Sequence, residues 1–449
     1  MTAPRLVLAR APGPAQIRVG LLGCGVVGEG ILRLLRDNAT LIERRLGGSI
    51  EVRGIAASRR DKPRDAVVPK SLLSYDAMQI ITDPSVDVIV EVVGGIEPAG
   101  TLVRAAIDRG KHVVTANKAL LAEQGDELME LAEKRGVDLY FEAAVGGGIP
   151  IIRVLREALA SDRVVRLHGI VNGTSNYILS RMRDAGLDFD VALREAQAAG
   201  YAEADPTLDI SGGDAAHKLT ILATLAFGAR VTPAQVATEG IERVAAIDMQ
   251  HAERFGYVIK PLAIARTVES GALDLRVHPA LVDRKSVLAS ISGALNAVYL
   301  EGAMLGPCLL SGLGAGALPT AMSVVSDIVD VGRNLLVRAH GRVPSRAFHG
   351  DHLAQRPVQD IGDLRTRYYL RFTVRDHPGV LARIAGVLGA FDVSIEQMVQ
   401  EGRGGTGDVP VNVVMVTHHA LERNVRSALL EMQALHHVVE PPRALRIEE

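Results

Sequence analysis

The sequence is poor in aromatic residues, cysteines and long apolar runs, and it has no excess of charge of either sign. Only 3% of the 449 residues are aromatic, and the formal net charge is −2. Nucleic-acid-binding proteins usually carry a basic face with stacking aromatics, so this class is disfavoured. No apolar run approaches the roughly 18 residues that a membrane helix needs, so we expect no membrane partner.

The two cysteines, Cys24 and Cys308, lie far apart and lack metal-ligand spacing. This usage favours a cytoplasmic protein with reduced thiols. Residues 1–15 have neither an extended apolar core nor a small-residue cleavage site. We therefore expect a loose N-terminal tail and not a signal peptide.

Four segments follow this tail, and a chain of this length can hold two or three domains. Residues 16–145 alternate strand-like and helical runs, which predicts a Rossmann-type doubly wound parallel sheet in an α/β domain. Residues 146–340 carry longer helices and mixed strands, which predicts a second domain of α+β type. Residues 341–365 are polar and weakly periodic, which indicates a linker. Residues 366–449 follow a β-α-β-β-α-β pattern.

A glycine motif, GCGVVG, follows the first predicted strand and opens a single helix predicted over about 26–45. Its residues Gly23, Gly25, Val27 and Gly28 match a dinucleotide fingerprint, in which glycines let backbone amides approach a pyrophosphate. The acidic residue expected at the end of the second strand is absent, and Ser58, Arg59 and Arg60 stand there instead. Arginine can bind a ribose 2′-phosphate, so NADP is favoured, while Asp61 nearby keeps NAD possible.

The stretch 200–219, GYAEADPTLDISGGDAAHKL, concentrates carboxylates ahead of a single lysine. Asp214 and Lys218 are four residues apart on a predicted helix, a spacing that is often only a surface ion pair. The helix behind them is largely apolar, so we expect its start to be buried. A buried lysine among carboxylates can donate a proton to a developing alkoxide.

Two further regions place polar or flexible groups at strand ends. Lys118 ends a strand in VVTANK, the edge at which open parallel sheets bind ligands, although it is equally compatible with a solvated loop lysine. FEAAVGGGIP (141–150) can hold a ligand or a monovalent cation through its carbonyls, or serve as an interdomain hinge. SGLGAGALPT (311–320) is a second glycine-rich loop.

The order of several motifs resembles homoserine dehydrogenase over about residues 16–335. The motifs are GLLGCGVVGEG, VVTANK, EAAVGGGIPII, GIVNGTSNYIL, GYAEADPTLDISGGDAAHKL and GAGALPTA. The resemblance implies NAD(P)H-dependent interconversion of L-aspartate 4-semialdehyde and L-homoserine, in threonine and methionine biosynthesis. It also implies that residues 146–340 form the α+β catalytic and dimerisation domain, which binds the substrate.

The resemblance also implies roles for individual residues. Lys218 corresponds to the proton donor, Glu203 and Asp214 to substrate ligands, and Asp209 is a second candidate for the substrate ammonium. Lys118 would lie against cofactor and active site, and Gly316 near the nicotinamide. Main-chain oxygens of a glycine loop would bind a sodium ion, and by position these belong to Glu142, Val145, Gly147 and Ile149.

The tail resembles an ACT domain through RDHPGVLARIAGVLGAFDVSI. ACT domains often pair across subunits and bind amino acids after the first strand, here at 376–379. This implies feedback inhibition by L-threonine in a homodimer or homotetramer, with a plain dimerisation module as the alternative. As a separate module, it should be removable by deleting residues 360–449 without loss of activity.

The sequence disfavours two other functions. An acylating semialdehyde dehydrogenase would need a nucleophilic cysteine over the nicotinamide, and neither Cys24 nor Cys308 stands in a context that suggests one. A non-catalytic amino-acid sensor with a retained dinucleotide fold is disfavoured by the presence of Lys118, Asp214 and Lys218.

Overall fold

The computed structural model describes residues 15–401 and 410–449, so the predicted tail over 1–15 lies almost wholly outside the described residues. The chain divides into two compact units. The first combines residues 1–161, 224–230 and 313–354, and the second combines 162–223, 231–312 and 355–449.

The helices are, in chain order, α1 Val26–Asp37, α2 Ala39–Leu46, α3 Ala77–Thr82, α4 Ala99–Asp108, α5 Lys118–Arg135, α6 Ile151–Arg153, α7 Gly173–Ala185, α8 Phe189–Ala198, α9 Thr207–Ile210, α10 Gly213–Phe227, α11 Ala246–Arg254, α12 Ala317–Leu336, α13 Val380–Ala390 and α14 Glu422–Gln433. The strands of the first unit are β1 Gln16–Leu22, β2 Ser49–Ala56, β3 Leu73–Ser74, β4 Val88–Glu91, β5 His112–Thr115 and β6 Leu139–Tyr140. Those that follow are β7 Val164–Ile170, β8 Ala237–Thr238, β9 Tyr257–Thr267, β10 Leu273–Asp283, β11 Leu295–Gly302, β12 Gly306–Leu313, β13 Arg365–Arg375, β14 Ile395–Glu401, β15 Pro410–Thr417, β16 Ala420–Leu421 and β17 Arg443–Glu448.

The first unit is built on a parallel sheet with strand order β3-β2-β1-β4-β5-β6. This confirms the predicted Rossmann-type sheet. The strand order reverses between β1 and β4, and ligands of such sheets bind outside the carboxyl ends of the strands at that point. A cofactor site is therefore expected at the glycine turn after β1 and at the end of β4.

Alternating and continuous apolar residues explain the core of this unit. Val19 and Leu21 of β1 and Val88 and Val90 of β4 are buried with Ile328 of α12 in one cluster. The single helix predicted over 26–45 is in fact two, because Asn38 leaves the helical conformation (φ −109°, ψ 17°) between α1 and α2.

The second unit contains a mixed sheet of order β12-β11-β7-β9-β10-β17-β13-β15-β14, with β8 beside β10 and β16 beside β13. Its C-terminal part has the predicted β-α-β-β-α-β order, formed by β13, α13, β14, β15, α14 and β17. The last strand, β17, pairs in parallel with β10 and antiparallel with β13. The C-terminal module thus continues the sheet of the preceding segment, which the sequence pattern did not predict.

The C-terminal module also has a core of its own. Phe372 of β13, Ile384 of α13, Met415 of β15 and Val425 of α14 are buried in one cluster. No helix in the part of the chain that the structure describes is long and apolar enough to span a membrane.

Candidate active site

The glycine turn after β1 forms an open cradle at the N-terminus of α1. Gly23 has φ +109°, and a Cβ there would stand 2.6 Å from the carbonyl oxygen of Val92, so a larger residue is excluded. Gly25 caps α1, and a Cβ on Gly25 would meet no heavy atom within 4 Å. The turn therefore presents backbone amides to free space, which suits a pyrophosphate.

Gly28 and Val27 serve the packing of this turn. A Cβ on Gly28 would collide with the carbonyl oxygen of Gly23, which is the close helix–strand approach expected of the third fingerprint glycine. Val27 packs against the core of the first unit.

A cavity of about 410 Å³ lies over the turn and is lined by the end of β2 and the segment after β4. Arg59, Lys62 and Arg64 line it, and Arg64 donates to the carbonyl oxygens of Arg59 and Cys24. Arg60 instead stacks over the ring of Tyr75, 4.5 Å from its centroid. The cavity wall is basic, and the described residues that line it include no carboxylate.

A buried carboxylate that the sequence interpretation missed organises the neighbouring loop. Glu91, at the end of β4, is fully buried and accepts hydrogen bonds from the amides of Val93 (2.7 Å) and Gly94 (3.1 Å). Its second oxygen accepts from the hydroxyl of Thr115 at 2.5 Å. Because Val93 also lines the cavity, Glu91 fixes the wall of the dinucleotide site.

The same network reaches Lys118. The backbone amide of Asn117 donates to the hydroxyl oxygen of Thr115, and its side-chain NH₂ group donates to the carbonyl of Gly95 (2.6 Å). Its side-chain oxygen caps α5 by accepting from the amide of Leu120. Lys118 is the first residue of α5 and is partly buried. Lys118 therefore does not end the strand as predicted: β5 ends at Thr115, and Lys118 begins the following helix beside Asn117 of this network.

The loop after β6 contains the four residues considered for sodium. Gly147 has φ +54°, and a Cβ there would be 2.6 Å from Gly314. The carbonyl of Gly147 accepts from the hydroxyl of Ser323 at 2.7 Å, and that of Ile149 accepts from the amide of Ile151 at 2.8 Å. Each carbonyl keeps a second lone pair, so the buried loop suits a cation held by main-chain oxygens.

The Glu142 side chain has a different task in this loop. Its two oxygens accept from the amides of Ile152 and Arg153, both at 2.9 Å. Burial raises the pKa of Glu142 to about 7, and burial together with the charge of Glu142 raises the pKa of Asp327 to about 8. Across residues 15–401 and 410–449, no group of three His, Cys, Asp or Glu side chains is arranged for a metal.

The last predicted site residue of the first unit, Gly316, lies in the second glycine-rich loop (311–320). Gly316 is the residue before α12 and caps its N-terminus. It is two positions from Gly314, the residue that the Gly147 loop approaches. The two glycine-rich loops singled out in the sequence are thus brought together.

In the second unit, Lys218 is held by two acceptors. Its ammonium lies 2.6 Å from Asp214 and donates to the carbonyl of Val171 at 2.7 Å. Asp214 is 3% exposed, and the Lys218 side chain is 11% exposed. The prediction that α10 begins inside the protein is confirmed, and the pair is not a solvated surface pair.

Asn172 joins a second carboxylate to this pair. Its amide donates to Asp209 (2.7 Å) and to Asp214 (2.8 Å), while its oxygen caps α7 through Ser175. The sequence placed Asn172 in a motif near the site without assigning it a role. Its NH₂ group lets two carboxylates share one small volume, because it supplies a donor to each.

The other carboxylates of the stretch lie apart from this cluster. Glu203 is exposed, and in the described part of the chain its side chain makes no hydrogen bond to Asp214 or Lys218. Asp205 accepts from the amide and hydroxyl of Thr207, which is a local turn. The structure therefore brings Lys218, Asp214 and Asp209 into one hydrogen-bonded cluster through Asn172. Glu203 is exposed to solvent outside this cluster.

Neither cysteine is set up as a nucleophile. Cys24 is buried inside the phosphate turn, and burial raises the pKa of its thiol. Cys308 lies on β12. A thiolate over the nicotinamide is the requirement of the acylating alternative, and a raised thiol pKa works against it.

Family models match three consecutive parts of this chain. They match at residues 23–142 (homoserine dehydrogenase, NAD binding domain), 150–329 (homoserine dehydrogenase) and 368–436 (ACT domain). A homoserine dehydrogenase of Pseudomonas aeruginosa is 44% identical over 434 residues, which cover 96% of this chain and 99% of that protein.

Two solved structures extend the comparison. That of a homoserine dehydrogenase from Thiobacillus denitrificans has a TM-score of 0.91 and 47% identity, covering 97% of this chain and 99% of the other. A hyperthermophilic archaeal homoserine dehydrogenase in complex with NADPH has a TM-score of 0.60 and 26% identity, covering 71% and 98%. This chain, with its nicotinamide-dinucleotide domain, catalytic domain and C-terminal ACT domain, belongs to the homoserine dehydrogenase family of NAD(P)-dependent oxidoreductases.

Proposed function

We propose that this enzyme reduces L-aspartate 4-semialdehyde to L-homoserine with NADPH and uses Lys218 as the proton donor. The observation that carries the proposal is the cluster of Lys218, Asp214, Asn172 and Asp209, in which Asp214 and Asn172 are buried and Lys218 and Asp209 are partly exposed. An ammonium group held by a buried carboxylate can give up a proton to a nearby oxyanion and be replenished.

The reaction adds a hydride to the aldehyde carbon and a proton to the aldehyde oxygen. A bound nicotinamide supplies the hydride. Lys218 donates its proton to the oxygen, on which negative charge accumulates as the carbon is reduced. Asp214 and the carbonyl of Val171 fix the direction of the ammonium group, so that one N–H remains to point at the substrate.

The substrate is itself a zwitterion, and its ammonium needs a carboxylate. Asp209 and Asp214 are both partnered by Asn172, and Glu203 is the exposed carboxylate of the same loop. We assign Asp214 and Asp209 to the interior of the pocket. Glu203 is assigned to the substrate ammonium from the rim, a role that needs its loop to close over the bound substrate.

The first unit supports a nicotinamide cofactor. Gly23, Gly25 and the N-terminus of α1 would hold the pyrophosphate, and Arg59 with Lys62 favours a ribose 2′-phosphate, hence NADP over NAD. We assign Lys118 and Gly316 to the reactive end of the cofactor. A sodium ion would be held by main-chain oxygens of Glu142, Val145, Gly147 and Ile149. It would stabilise the glycine-rich loop that contains these four residues.

The ACT domain supports regulation by a small molecule. We propose feedback inhibition by L-threonine, since L-homoserine leads to threonine and methionine, with the loop 376–379 as the family's expected contact. A homodimer or homotetramer and a cytoplasmic location complete the proposal. A non-catalytic sensor would not need the buried Asp214–Lys218 pair.

The proton-donor role is tested by Lys218→Ala. Turnover of aspartate semialdehyde with NADPH should fall by two to four orders of magnitude, the usual range for general acid catalysis. NADPH affinity, measured by fluorescence titration, should stay within threefold of wild type.

A matched control is Lys134→Ala, which removes an exposed i,i+4 lysine–glutamate pair on α5. This variant should keep wild-type turnover. Turnover of Lys218→Ala within fivefold of wild type would remove Lys218 from the mechanism.

A further inference from the structure

A large cavity lies within the second unit, away from the Lys218 cluster. This junction cavity has a volume of about 630 Å³ and is bounded by α14 and β17 of the ACT domain and by the segment 238–248. Its charged lining includes Arg243, Arg426, Arg443, Glu239 and Glu242. Such a volume accommodates a small metabolite.

Part of this charge is already neutralised. Arg446 binds Glu422 at 2.8 and 2.6 Å and Glu239 at 2.7 Å. Arg426 binds Glu422 at 2.7 Å. These groups form a closed network and need no ligand.

Two arginines remain outside that network. The guanidinium groups of Arg443 and Arg243 make no hydrogen bond or ion pair with the residues that the structure describes. Asp248, the carboxylate of the lining that lies near Arg443, is taken by Arg371 (2.7 Å) and by the hydroxyl of Tyr369 (2.8 Å).

The electrostatics of Arg443 reflect this. Burial, and then the positive charges of Arg243 and Arg371, lower the pKa of the Arg443 guanidinium, against the weaker effects of Asp248 and Glu440. An anion between Arg443 and Arg243 would relieve that repulsion through charge-assisted hydrogen bonds.

A carboxylate, Glu242, lines the cavity together with these two arginines. Glu242 lines the same wall, and no ion pair of its carboxylate occurs in the described ranges. A phosphate dianion would be repelled by Glu242, whereas a zwitterion would satisfy all three side chains. We propose that the junction cavity binds a small α-amino acid, with its carboxylate between Arg243 and Arg443 and its ammonium at Glu242.

The cavity is connected to the catalytic loop. The amide of Ile241 donates to the carbonyl of Ile210 at 2.9 Å, and Ser211 lines the cavity. Asp209, which shares Asn172 with Asp214, is one residue before Ile210. A ligand that moves the segment 238–244 therefore acts on the loop that carries Asp209. The inference deepens the proposed amino-acid regulation and rests on it.

The test measures binding to the full chain by isothermal titration calorimetry, with L-threonine, L-methionine and inorganic phosphate as probes. We expect an amino acid to bind and its Kd to rise at least tenfold in Arg443→Gln and in Arg243→Gln. Arg423→Gln, an exposed arginine of α14 outside the lining, is the matched control and should bind as wild type.

Asp376→Asn, in the loop that family resemblance favours, separates the two sites. Amino-acid binding lost in Asp376→Asn and retained in both cavity variants would overturn the junction site and leave amino-acid regulation standing. Binding of phosphate alone, or of no probe, would also overturn it. Binding that is lost in the cavity variants but never alters turnover would support the cavity and overturn feedback inhibition.

Discussion

At the scale of single residues, Glu91 shows how a buried carboxylate is retained without a cation. It accepts two backbone amides and one hydroxyl, so its charge is spread over three donors. Hydrogen bonds to a charged group contribute about 1.5–3 kcal/mol each. The loop after β4 is therefore held in one conformation by a residue that never needs to touch the cofactor.

Glu91→Gln should loosen this loop, because the neutral amide removes the negative charge that strengthens the hydrogen bonds from Val93, Gly94 and Thr115. We expect the KM for NADPH to rise about tenfold, which corresponds to one charged hydrogen bond, with a smaller change in kcat. Steady-state kinetics at saturating semialdehyde measures both. The exposed Glu123→Gln on α5 is the control, and an unchanged KM in Glu91→Gln would mean that the loop is set by other contacts.

Residue-level prediction was uneven for physical reasons. Lys218 and Asp214 were found because their four-residue spacing and the apolar helix behind them are visible in the sequence. Asn172 and Glu91 acquire their roles only from partners that are 42 and 24 residues away. Nothing in the local pattern of either residue reports such contacts.

At the scale of elements, the strands β7 and β10 carry histidines into the interior of the sheet. Burial lowers the pKa of His168 to about 4. The carboxylate of Glu448 opposes this shift, and the positive charges of Arg166, Arg276 and Arg266 add to it. Burial likewise lowers the pKa of His278 well below its usual range. Both rings are therefore neutral in the folded protein at pH 7.

The unfolded chain binds protons at these histidines below about pH 6.5, whereas the folded chain does not until about pH 4 for His168. Stability should thus be complete above pH 6.5 and fall as the pH drops toward 4. For His168 the loss is at most about 3 kcal/mol.

Urea unfolding at pH 7.5 and pH 4.5 measures this loss. His168→Gln should reduce the difference between the two pH values, while the exposed His419→Gln should preserve it. An identical pH dependence in His168→Gln and wild type would show that His168 does not titrate on unfolding.

Element types followed from the sequence more reliably than element boundaries. The apolar runs of β1 and β4 predicted the parallel sheet, and the β-α-β-β-α-β pattern of residues 366–449 predicted the types and order of β13, α13, β15 and α14. The break at Asn38 was missed because the apolar periodicity continues across it. The antiparallel strands β10, β11 and β12 were also not predicted.

At the scale of the whole molecule, β17 changes the expectation for the ACT domain. The sequence predicts a module that can be removed, but β17 lies between β10 and β13 in one sheet. Glu448 of this strand also pairs with Arg276, which is 1% exposed. Removal would leave β10 with an unpaired edge and Arg276 with one partner fewer.

We therefore expect the chain ending at residue 359 to be destabilised or insoluble, and not active and merely uninhibited. Loss of one partner from a buried charge pair alone costs about 3–5 kcal/mol. Thermal unfolding by circular dichroism and size-exclusion chromatography, with the full chain as the control, measure the effect. A soluble, active truncated chain with an unchanged melting temperature would contradict the role given to β17.

The sequence by itself determined the family, the order of the domains, the phosphate turn and the Asp214–Lys218 pair. These features are local, because glycine spacing, apolar periodicity and helical i,i+4 neighbours are set by residues close in the chain. Tertiary structure decided the rest. It chose Asp209 and Asn172 as the neighbours of Lys218, left Glu203 exposed, gave Glu91 its donors and joined the ACT strands to the catalytic sheet. Each of these depends on contacts between distant residues, and their free energy is fixed only when packing has brought the partners together.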